Sequence, residues 1–518
     1  MDIFVSLIIC HRLFLRHNVL TEKANEHNVY SLIDSVSASQ LLIKTKDIVR
    51  KNIYRPFLYC SLDVCGQLQT TIQFATRNIA TFYILWMGEI NYDREIITTK
   101  DGAQVALDWA YSSKSKRTQR LQALNKPCQI DRDSLSEDSR MPTIVLHHGL
   151  CGDSSSEHIV LLAKKFLSCK HTKFRVVVVV MRGCGGTELI SSSTMDGSIT
   201  GDLRVAVDYI HNRLPNSRLF GIGFSLGAAV MLKYLGEEAS ATALEAAVCV
   251  SPPWDGRNKG PYFSLWSIFL ALPVKLYALR HRKMLDKRLN LMSILTASNL
   301  CQLDSILAQF RGFEGVHEYY TSCSPVPLAA NIRIPTLALS AMDDPVCFHG
   351  SAPEPLSLLQ EGSPTLQPLI YSDKDDVSVT EGPMVVRLKE DDAHDFKHMN
   401  SYSSISKCDV HVRTDINHLS VSDSNNNNNN NNNNSSSISS SMSEDNPCGL
   451  LILKTLLGGH LAFPSFPSYE EDDPYFSLSA TSILHLFCNS WSDDVTFDWI
   501  LSFLTPPAET YPVLLSLK

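Results

Sequence analysis

Apolar residues in this chain fall in short continuous runs, and most of these runs are separated by segments in which apolar residues recur every three or four positions. The runs read TIVLHH, FRVVVVVM, LFGIGF, LEAAVCV, PTLALSA and GLLILKTLL. Strands that are apolar on both sides lie in parallel sheets covered by helices on both faces. The pattern therefore predicts an α/β fold with a mostly parallel sheet.

Two further features complete the predicted fold. The segment YDREIITTKDGAQVALDWA alternates polar and apolar residues on both sides of Asp101-Gly102, which predicts a hairpin before the parallel strands. Residues 254–331 are helical and apolar, and YFSLWSIFLALPVKLYAL is the most prominent stretch. We expect a helical cap inserted between strands, although these residues taken singly fit ordinary core helices equally well.

Composition divides the chain into four parts. Residues 1–53 form an N-terminal segment without a clear pattern, whereas 54–358 and 447–518 carry the first and last parts of one α/β domain. Residues 359–446 are polar and contain the homopolymer Asn425–Asn434 and a serine-rich stretch. Such a segment has too little apolar surface to fold alone, so we predict a disordered insert.

Charge and cysteine usage exclude several functions. The 518 residues carry a net charge of −8 and no basic stripe interleaved with aromatic residues, which argues against a nucleic-acid partner. The 14 cysteines are scattered without C-x-x-C pairs, which favours reduced thiols over a metal site or a disulfide framework. The apolar runs Ile3–Cys10 and Ile79–Gly88 are shorter than the roughly 20 residues that span a bilayer. Attachment to a membrane surface stays open.

The segment GIGFSLGAAV places Ser225 between Gly223 and Gly227, where a predicted strand meets a predicted helix. A sharp turn at this point needs both glycines, because a larger side chain would collide with the adjoining strand or helix. A serine held in such a strained turn is a candidate nucleophile. The G-x-S-x-G pattern alone also arises by chance in many chains.

A serine hydroxyl becomes a nucleophile when a histidine held by a carboxylate takes its proton. In this type of sheet the acid and the histidine follow the serine along the chain, each in a loop after a strand. Asp343 and Asp344 follow PTLALSA, and His460 follows GLLILKTLL. Alone, Asp-Asp-Pro fits an ordinary turn and one histidine among 17 fits a surface residue. Their joint placement favours catalysis.

Catalysis also needs two backbone N–H groups directed at the negative oxygen that develops on the substrate. Leu226 follows the serine directly and is predicted to supply one of them. Leu150 is predicted to supply the other, because Gly149 lets the backbone turn at the end of TIVLHH. The alternative is an ordinary glycine-rich strand exit.

Nine segments of the chain form a recognisable set: GQLQT, REIITTKDGAQVALDW, HHGLCG, MRGCGGTEL, GDLRVAVDYI, GFSLGA, SPPWD, IPTLALSAMDDP and GGHLAF. Through this set the chain resembles the α/β-hydrolase-domain lipases of the YheT-like branch, which contains membrane-associated monoacylglycerol lipases and phospholipases. The resemblance runs from about Tyr54 to the C-terminus without the polar insert, and it implies Ser225 as nucleophile, Asp344 rather than Asp343 as acid, and His460 as base. It implies no metal or organic cofactor. The chain departs from the family in its insert between acid and histidine and at Met181, where a polar residue is frequent.

The expected function is that of a serine hydrolase that cleaves acyl esters of lipids, associated with a membrane and facing the cytosol, or else cytoplasmic. The alternatives are a small-ester carboxylesterase or thioesterase, and a non-catalytic interaction protein on a hydrolase fold. His281 and Asp286 in HRKMLD have the H-x-x-x-x-D spacing credited with acyltransfer in the same branch. That spacing arises easily in a basic helical stretch, so it carries little weight.

Overall fold

A computed structural model of the chain shows one large sheet with helices on both of its faces. The described residues belong to one unit, formed by Met1–Asp373 and Asp445–Lys518. The predicted insert 359–446 lies outside the described residues. These are residues 27–31, 36–52, 62–112, 137–190, 193–258, 263–285, 289–347, 349–353, 449–455, 459–461, 463 and 490–504.

The described residues form a nine-stranded sheet. Its strands are β1 (His27–Ser31), β2 (Ile90–Thr98), β3 (Gln104–Ser112), β4 (Thr143–His147), β5 (Arg175–Val180), β6 (Leu219–Phe224), β7 (Leu244–Val250), β8 (Thr336–Ala341) and β9 (Leu450–Thr455). They lie in the order β1-β9-β8-β7-β6-β4-β5-β3-β2. Neighbours among β4 to β9 pair in parallel, whereas β1, β2 and β3 pair antiparallel. The predicted mostly parallel sheet is confirmed.

The helices are α1 (Val36–Lys51), α2 (Leu62–Trp86), α3 (Glu157–Leu167), α4 (Gly201–Arg213), α5 (Leu226–Glu238), α6 (Phe263–Arg280), α7 (Arg282–Leu285), α8 (Leu291–Thr296), α9 (Leu300–Phe310), α10 (Val316–Cys323) and α11 (Trp491–Leu501). Short 3-10 turns cover Glu137–Arg140, Val326–Asn331 and His349–Ser351. None of the described helices combines the length and the apolar character needed to cross a bilayer.

Burial on both faces explains why the parallel strands read as continuous apolar runs. In β5, Val176, Val178 and Val180 pack into one hydrophobic cluster, while Val177 and Val179 pack into the cluster on the other face. Successive side chains of a strand point to opposite faces, so each face requires its own apolar set. The predicted hairpin is also confirmed, since β2 and β3 pair from Ile90↔Ser112 to Thr98↔Gln104.

The N-terminal segment, which had no clear sequence pattern, contributes to the same sheet. In β1, Val29 pairs with Leu453 of β9, and this antiparallel strand closes the sheet edge. The next helix, α1, packs against α11, where Trp499 Nε1 donates a hydrogen bond to Thr45 Oγ1 at 3.0 Å. Parts of residues 1–53 are thus integral to the domain.

The predicted helical insertion is confirmed between β7 and β8, where α6 to α10 lie. This cap has its own small apolar core, which includes Ala271, Val274 and Ile294. Leu150, in the loop after β4, packs against both the cap core and the main core. The cap therefore lies against the loop that follows β4.

Candidate active site

Ser225 occupies a strained turn between β6 and α5. Its φ of 49° and ψ of −120° lie in a region that non-glycine residues rarely adopt. The backbone N–H of Ser225 donates to the carbonyl of Val250 at 2.9 Å, which ties the turn to the end of β7. Strain of this kind is found at functional sites, where surrounding contacts hold it in place.

The structure confirms that both flanking glycines are required. A Cβ on Gly223 would lie 2.7 Å from the Cα of Ala228, in the first turn of α5. A Cβ on Gly227 would lie 2.6 Å from the carbonyl oxygen of His147 and closer still to that of His148. These neighbours are backbone atoms of packed elements, so they cannot move aside as a flexible side chain would.

His460 joins Ser225 to Asp344. Its Nδ1 lies 3.0 Å from Asp344 Oδ2, and its Nε2 lies 3.0 Å from Ser225 Oγ. An ionised carboxylate only accepts hydrogen bonds, so Nδ1–H is the donor to Asp344. The neutral ring then presents an unprotonated Nε2 that accepts the hydrogen bond of the serine hydroxyl. Both distances are within the reach of a general base.

Asp344, and not Asp343, faces the histidine ring. Asp344 is buried, and its Oδ1 accepts hydrogen bonds from the backbone N–H groups of Val346 and Cys347, each at 2.8 Å. Its Oδ2 is therefore the oxygen directed at His460. Asp343 instead accepts from the backbone N–H of Gly459 at 2.8 Å.

The loop after β4 runs directly beside the serine. A Cβ on Gly149 would lie 3.3 Å from Ser225 Cβ. The predicted donor Leu150 follows Gly149, and the predicted donor Leu226 opens α5, where the first N–H groups of a helix have no partner within the helix. Leu226 is thus the chain neighbour of Ser225, and Leu150 follows a residue that lies beside Ser225; their role as donors to a substrate oxygen stays a prediction.

His148 shapes this loop, a role that the sequence analysis did not assign. Its Nε2 accepts from the backbone N–H of Met181 at 3.0 Å, so its Nδ1–H donates to the carbonyl of Gly149 at 2.7 Å. Burial lowers the pKa of His148 to about 4, which keeps the ring neutral as this pairing requires. The hydrogen bond to His148 comes from the backbone of Met181, so it does not depend on the side chain at this position, where the chain differs from the pattern of the family that it resembles.

The other candidates stand apart from this arrangement. His281 is buried, and its Nε2–H donates to the carbonyl of Gly183 at 2.7 Å. Burial lowers its pKa, which favours the neutral form. Asp286 lies outside the described residues. Within the described ranges, one potential metal-ligand atom each from Asp344, Cys347 and His460 lie within 4.8 Å of one another. This group shares two residues with the Ser225 site and does not form a separate centre.

Comparisons with known proteins agree with this fold. A family model described as the alpha/beta hydrolase fold matches residues 142–270. The human protein named Phospholipase ABHD3 is 28% identical over 262 residues, which cover 49% of this chain and 59% of that protein. The Saccharomyces cerevisiae Monoacylglycerol lipase is 26% identical over 312 residues, which cover 55% of this chain and 68% of that protein. The chain thus spans less than two thirds of the human relative.

A solved Pyrococcus furiosus esterase, Pf2001, aligns with 51% of this chain and 75% of its own, at 16% identity and a TM-score of 0.28. A likeness this weak carries no argument about the site. The family match includes β4 to β7 and the Ser225 turn, and the two relatives are named a phospholipase and a monoacylglycerol lipase. Together with the mostly parallel sheet, these findings show that the chain has the α/β-hydrolase fold and is similar to abhydrolase-domain proteins.

Proposed function

We propose that this protein is a serine hydrolase that cleaves acyl esters of lipids. The observation that carries the proposal is the continuous hydrogen-bonded connection from Ser225 through His460 to Asp344, with both histidine contacts at 3.0 Å. The site combines a nucleophile, a base in hydrogen-bond reach and a buried carboxylate that orients the base. These are the three groups that acyl transfer through a serine requires.

The proposed reaction has two halves. In the first, Ser225 Oγ attacks the acyl carbonyl carbon while His460 Nε2 takes the hydroxyl proton, and the N–H groups of Leu150 and Leu226 stabilise the oxyanion. His460 then returns the proton to the leaving alcohol oxygen as the ester C–O bond breaks, which leaves an acyl-enzyme. In the second half, His460 takes a proton from water, the water oxygen attacks the acyl carbon, and Ser225 regains its proton as the fatty acid leaves.

A lipid acyl chain is the proposed substrate group for two reasons. The relatives carry the names phospholipase and monoacylglycerol lipase, although they share only part of their length with this chain. In addition, Leu150 links the loop beside Ser225 to the apolar core of the cap. An apolar cap next to the nucleophile suits an acyl chain better than it suits a charged substrate.

Labelling with a fluorophosphonate, which reacts with activated serines, tests the nucleophile. Wild type should be labelled, and Ser225→Ala should lose both labelling and hydrolysis while it keeps the wild-type fold. Ser305→Ala is the matched control, because Ser305 is an exposed serine on α9. A folded wild type that resists labelling would favour a non-catalytic interaction protein.

A substrate panel tests the lipid class. It should contain a monoacylglycerol, a phosphatidylcholine, a short p-nitrophenyl ester and an acyl thioester. The proposal expects the highest kcat/KM on a long-chain oxygen ester. Turnover confined to the short ester or to the thioester would instead identify a small-ester carboxylesterase or a thioesterase.

We also propose that the enzyme acts at an anionic membrane surface through α6. One face of this helix is apolar and solvent-exposed, and three exposed basic residues lie at its end: Arg280, its last residue, and Arg282 and Lys283 just beyond it. Residues 263–285 contain no acidic residue. Cations beside an apolar helix face suit an anionic bilayer, at about 1 kcal/mol per basic residue near the surface. The exposed apolar residues are Leu265, Ile268, Phe269, Leu272 and Leu276.

Vesicle sedimentation tests this surface. Wild type should sediment with phosphatidylcholine vesicles that contain phosphatidylserine and less with phosphatidylcholine alone, and Phe269→Glu should weaken both. Ile96→Glu, on β2, serves as a control for an added charge at an exposed apolar position. Binding that is equal for wild type and Phe269→Glu would contradict the proposed surface.

A further inference from the structure

Three consecutive backbone N–H groups hold the loop that carries His460. The N–H of Gly459 donates to Asp343 Oδ1 at 2.8 Å, and the N–H of His460 donates to Thr70 Oγ1 at 2.9 Å. The N–H of Leu461 donates to Ser251 Oγ at 3.2 Å. All three acceptors are side chains, and each belongs to a different part of the fold.

The three acceptors are buried, and each lies on or directly after a helix or strand of the domain. Thr70 lies on α2, Ser251 follows β7, and Asp343 follows β8 next to the acid of the proposed reaction. The Thr70 hydroxyl also donates to the carbonyl of Gly66 at 2.7 Å, so both its hydrogen-bonding roles are used. A backbone N–H that loses its acceptor inside a protein must be satisfied in another way, so these three contacts favour the observed loop conformation.

Close packing joins α2 to both the acid turn and the histidine loop. A Cβ on Gly66 would overlap the carbonyl oxygen of Asp343. Gly459, with φ of +59°, faces α2 so closely that a Cβ there would lie 2.5 Å from Thr70 Oγ1. Gly66 and Thr70 are the first and last residues of GQLQT, a segment that precedes every strand of the parallel part of the sheet.

We propose that Thr70, Asp343 and Ser251 are positioning residues that hold the His460 loop so that its Nε2 stays within reach of Ser225. The inference rests on the proposed hydrolase function. If the inference is correct, α2 supports the active site through Thr70. The two consecutive carboxylates then have separate roles, because Asp344 binds the His460 ring and Asp343 binds the backbone of the His460 loop.

Thr70→Val is the sharpest test, because valine has nearly the shape of threonine and lacks the hydroxyl. A displacement of about 1 Å at a reacting group costs about a hundredfold in rate. We therefore expect kcat to fall 10- to 100-fold with little change in KM, and fluorophosphonate labelling of Ser225 to slow in parallel. Thr70→Ser, which keeps the acceptor oxygen, should stay within about threefold of wild type.

Thr71→Val is the matched control. Thr71 is exposed, and its hydroxyl donates to the carbonyl of Gln67 in its own helix, so this variant should keep wild-type kcat. A second control separates fold from positioning: Thr70→Val should keep the secondary structure of wild type by circular dichroism. Unchanged kcat in Thr70→Val, or equal losses in Thr70→Val and Thr70→Ser, would overturn the proposal.

Hydrogen exchange followed by mass spectrometry tests the same loop without using activity. The peptide that contains Gly459 to Leu461 should exchange faster in Thr70→Val than in wild type. In Thr71→Val and in Thr70→Ser it should exchange at the wild-type rate. Exchange that does not change would overturn the positioning role. A wild type that exchanges as expected but resists labelling at Ser225 would instead refute the proposed function.

Discussion

Replacing Asp344 by Asn should disable the proposed reaction by reversing the histidine tautomer. Asp344 Oδ1 accepts two backbone N–H groups at 2.8 Å, so the oxygen of an asparagine amide must occupy that position. The amide NH2 group then takes the place of Oδ2 and donates to His460 Nδ1. The ring must carry its proton on Nε2, where it can no longer accept the proton of Ser225.

The size of the effect follows from this geometry. Loss of the correct tautomer in a serine triad lowers kcat by about 10⁴-fold, which corresponds to about 5.4 kcal/mol in the activation free energy. Asp343→Asn is the matched control, because an asparagine there keeps an oxygen that accepts from Gly459. We expect Asp343→Asn to lower kcat by less than about tenfold.

The assay is the kcat of p-nitrophenyl ester hydrolysis for both variants at pH 7.5, with the thermal midpoint as a check on folding. The prediction holds if Asp344→Asn folds and loses about 10⁴-fold in kcat while Asp343→Asn stays within about tenfold of wild type. A folded Asp344→Asn variant within tenfold of wild type would refute the reasoning. So would the reverse ranking of the two variants, which would make Asp343 the acid.

Three further predictions concern the serine turn, pH and the insert. Gly227→Ala should lower the free energy of unfolding by about 1–3 kcal/mol in urea titrations, since its Cβ would overlap backbone carbonyls. Gly201→Ala, in the first turn of α4, should be close to neutral, because the added Cβ would lie 3.8 Å from Ile199, an ordinary contact distance. Burial lowers the pKa of His148 to about 4 from 6.5 in the unfolded chain, so its contribution to stability is complete above pH 6.5 and is lost as the pH falls towards 4. The loss amounts to about 3 kcal/mol in the free energy of unfolding. The prediction is contradicted if the difference in the free energy of unfolding between wild type and His148→Asn does not vary with pH. Replacing residues 359–446 by a short Gly/Ser linker should leave kcat/KM within a few-fold of wild type and should not lower the thermal midpoint. The reason is that shortening the connection from about 115 to about 30 residues changes the free energy of loop closure by only about 1.2 kcal/mol. A folded but inactive variant would show that the insert acts on the site.

Local patterns were sufficient to predict the parallel sheet and the order of the candidate residues. Strands buried on both faces must be apolar throughout, so β4 to β9 are visible as continuous runs. The requirement for glycine around Ser225 is also local, because it arises within one strand-turn-helix unit. Asp344 and His460 were then candidates because each follows a predicted strand and both come after Ser225 in the chain. The distance between their side chains was not needed for that prediction.

Only the tertiary structure decided which groups meet. The residues alone left Asp343 and Asp344 both open as the acid, whereas the folded turn directs Asp344 at the ring and Asp343 at the loop. The hydrogen bond from His460 to Thr70 joins positions 390 residues apart, and β1 pairs with β9 across an even longer stretch of chain. Neither contact can be predicted from the periodicity of apolar residues. That periodicity indicates which side of a helix or strand is buried, but it does not indicate which distant element covers that side.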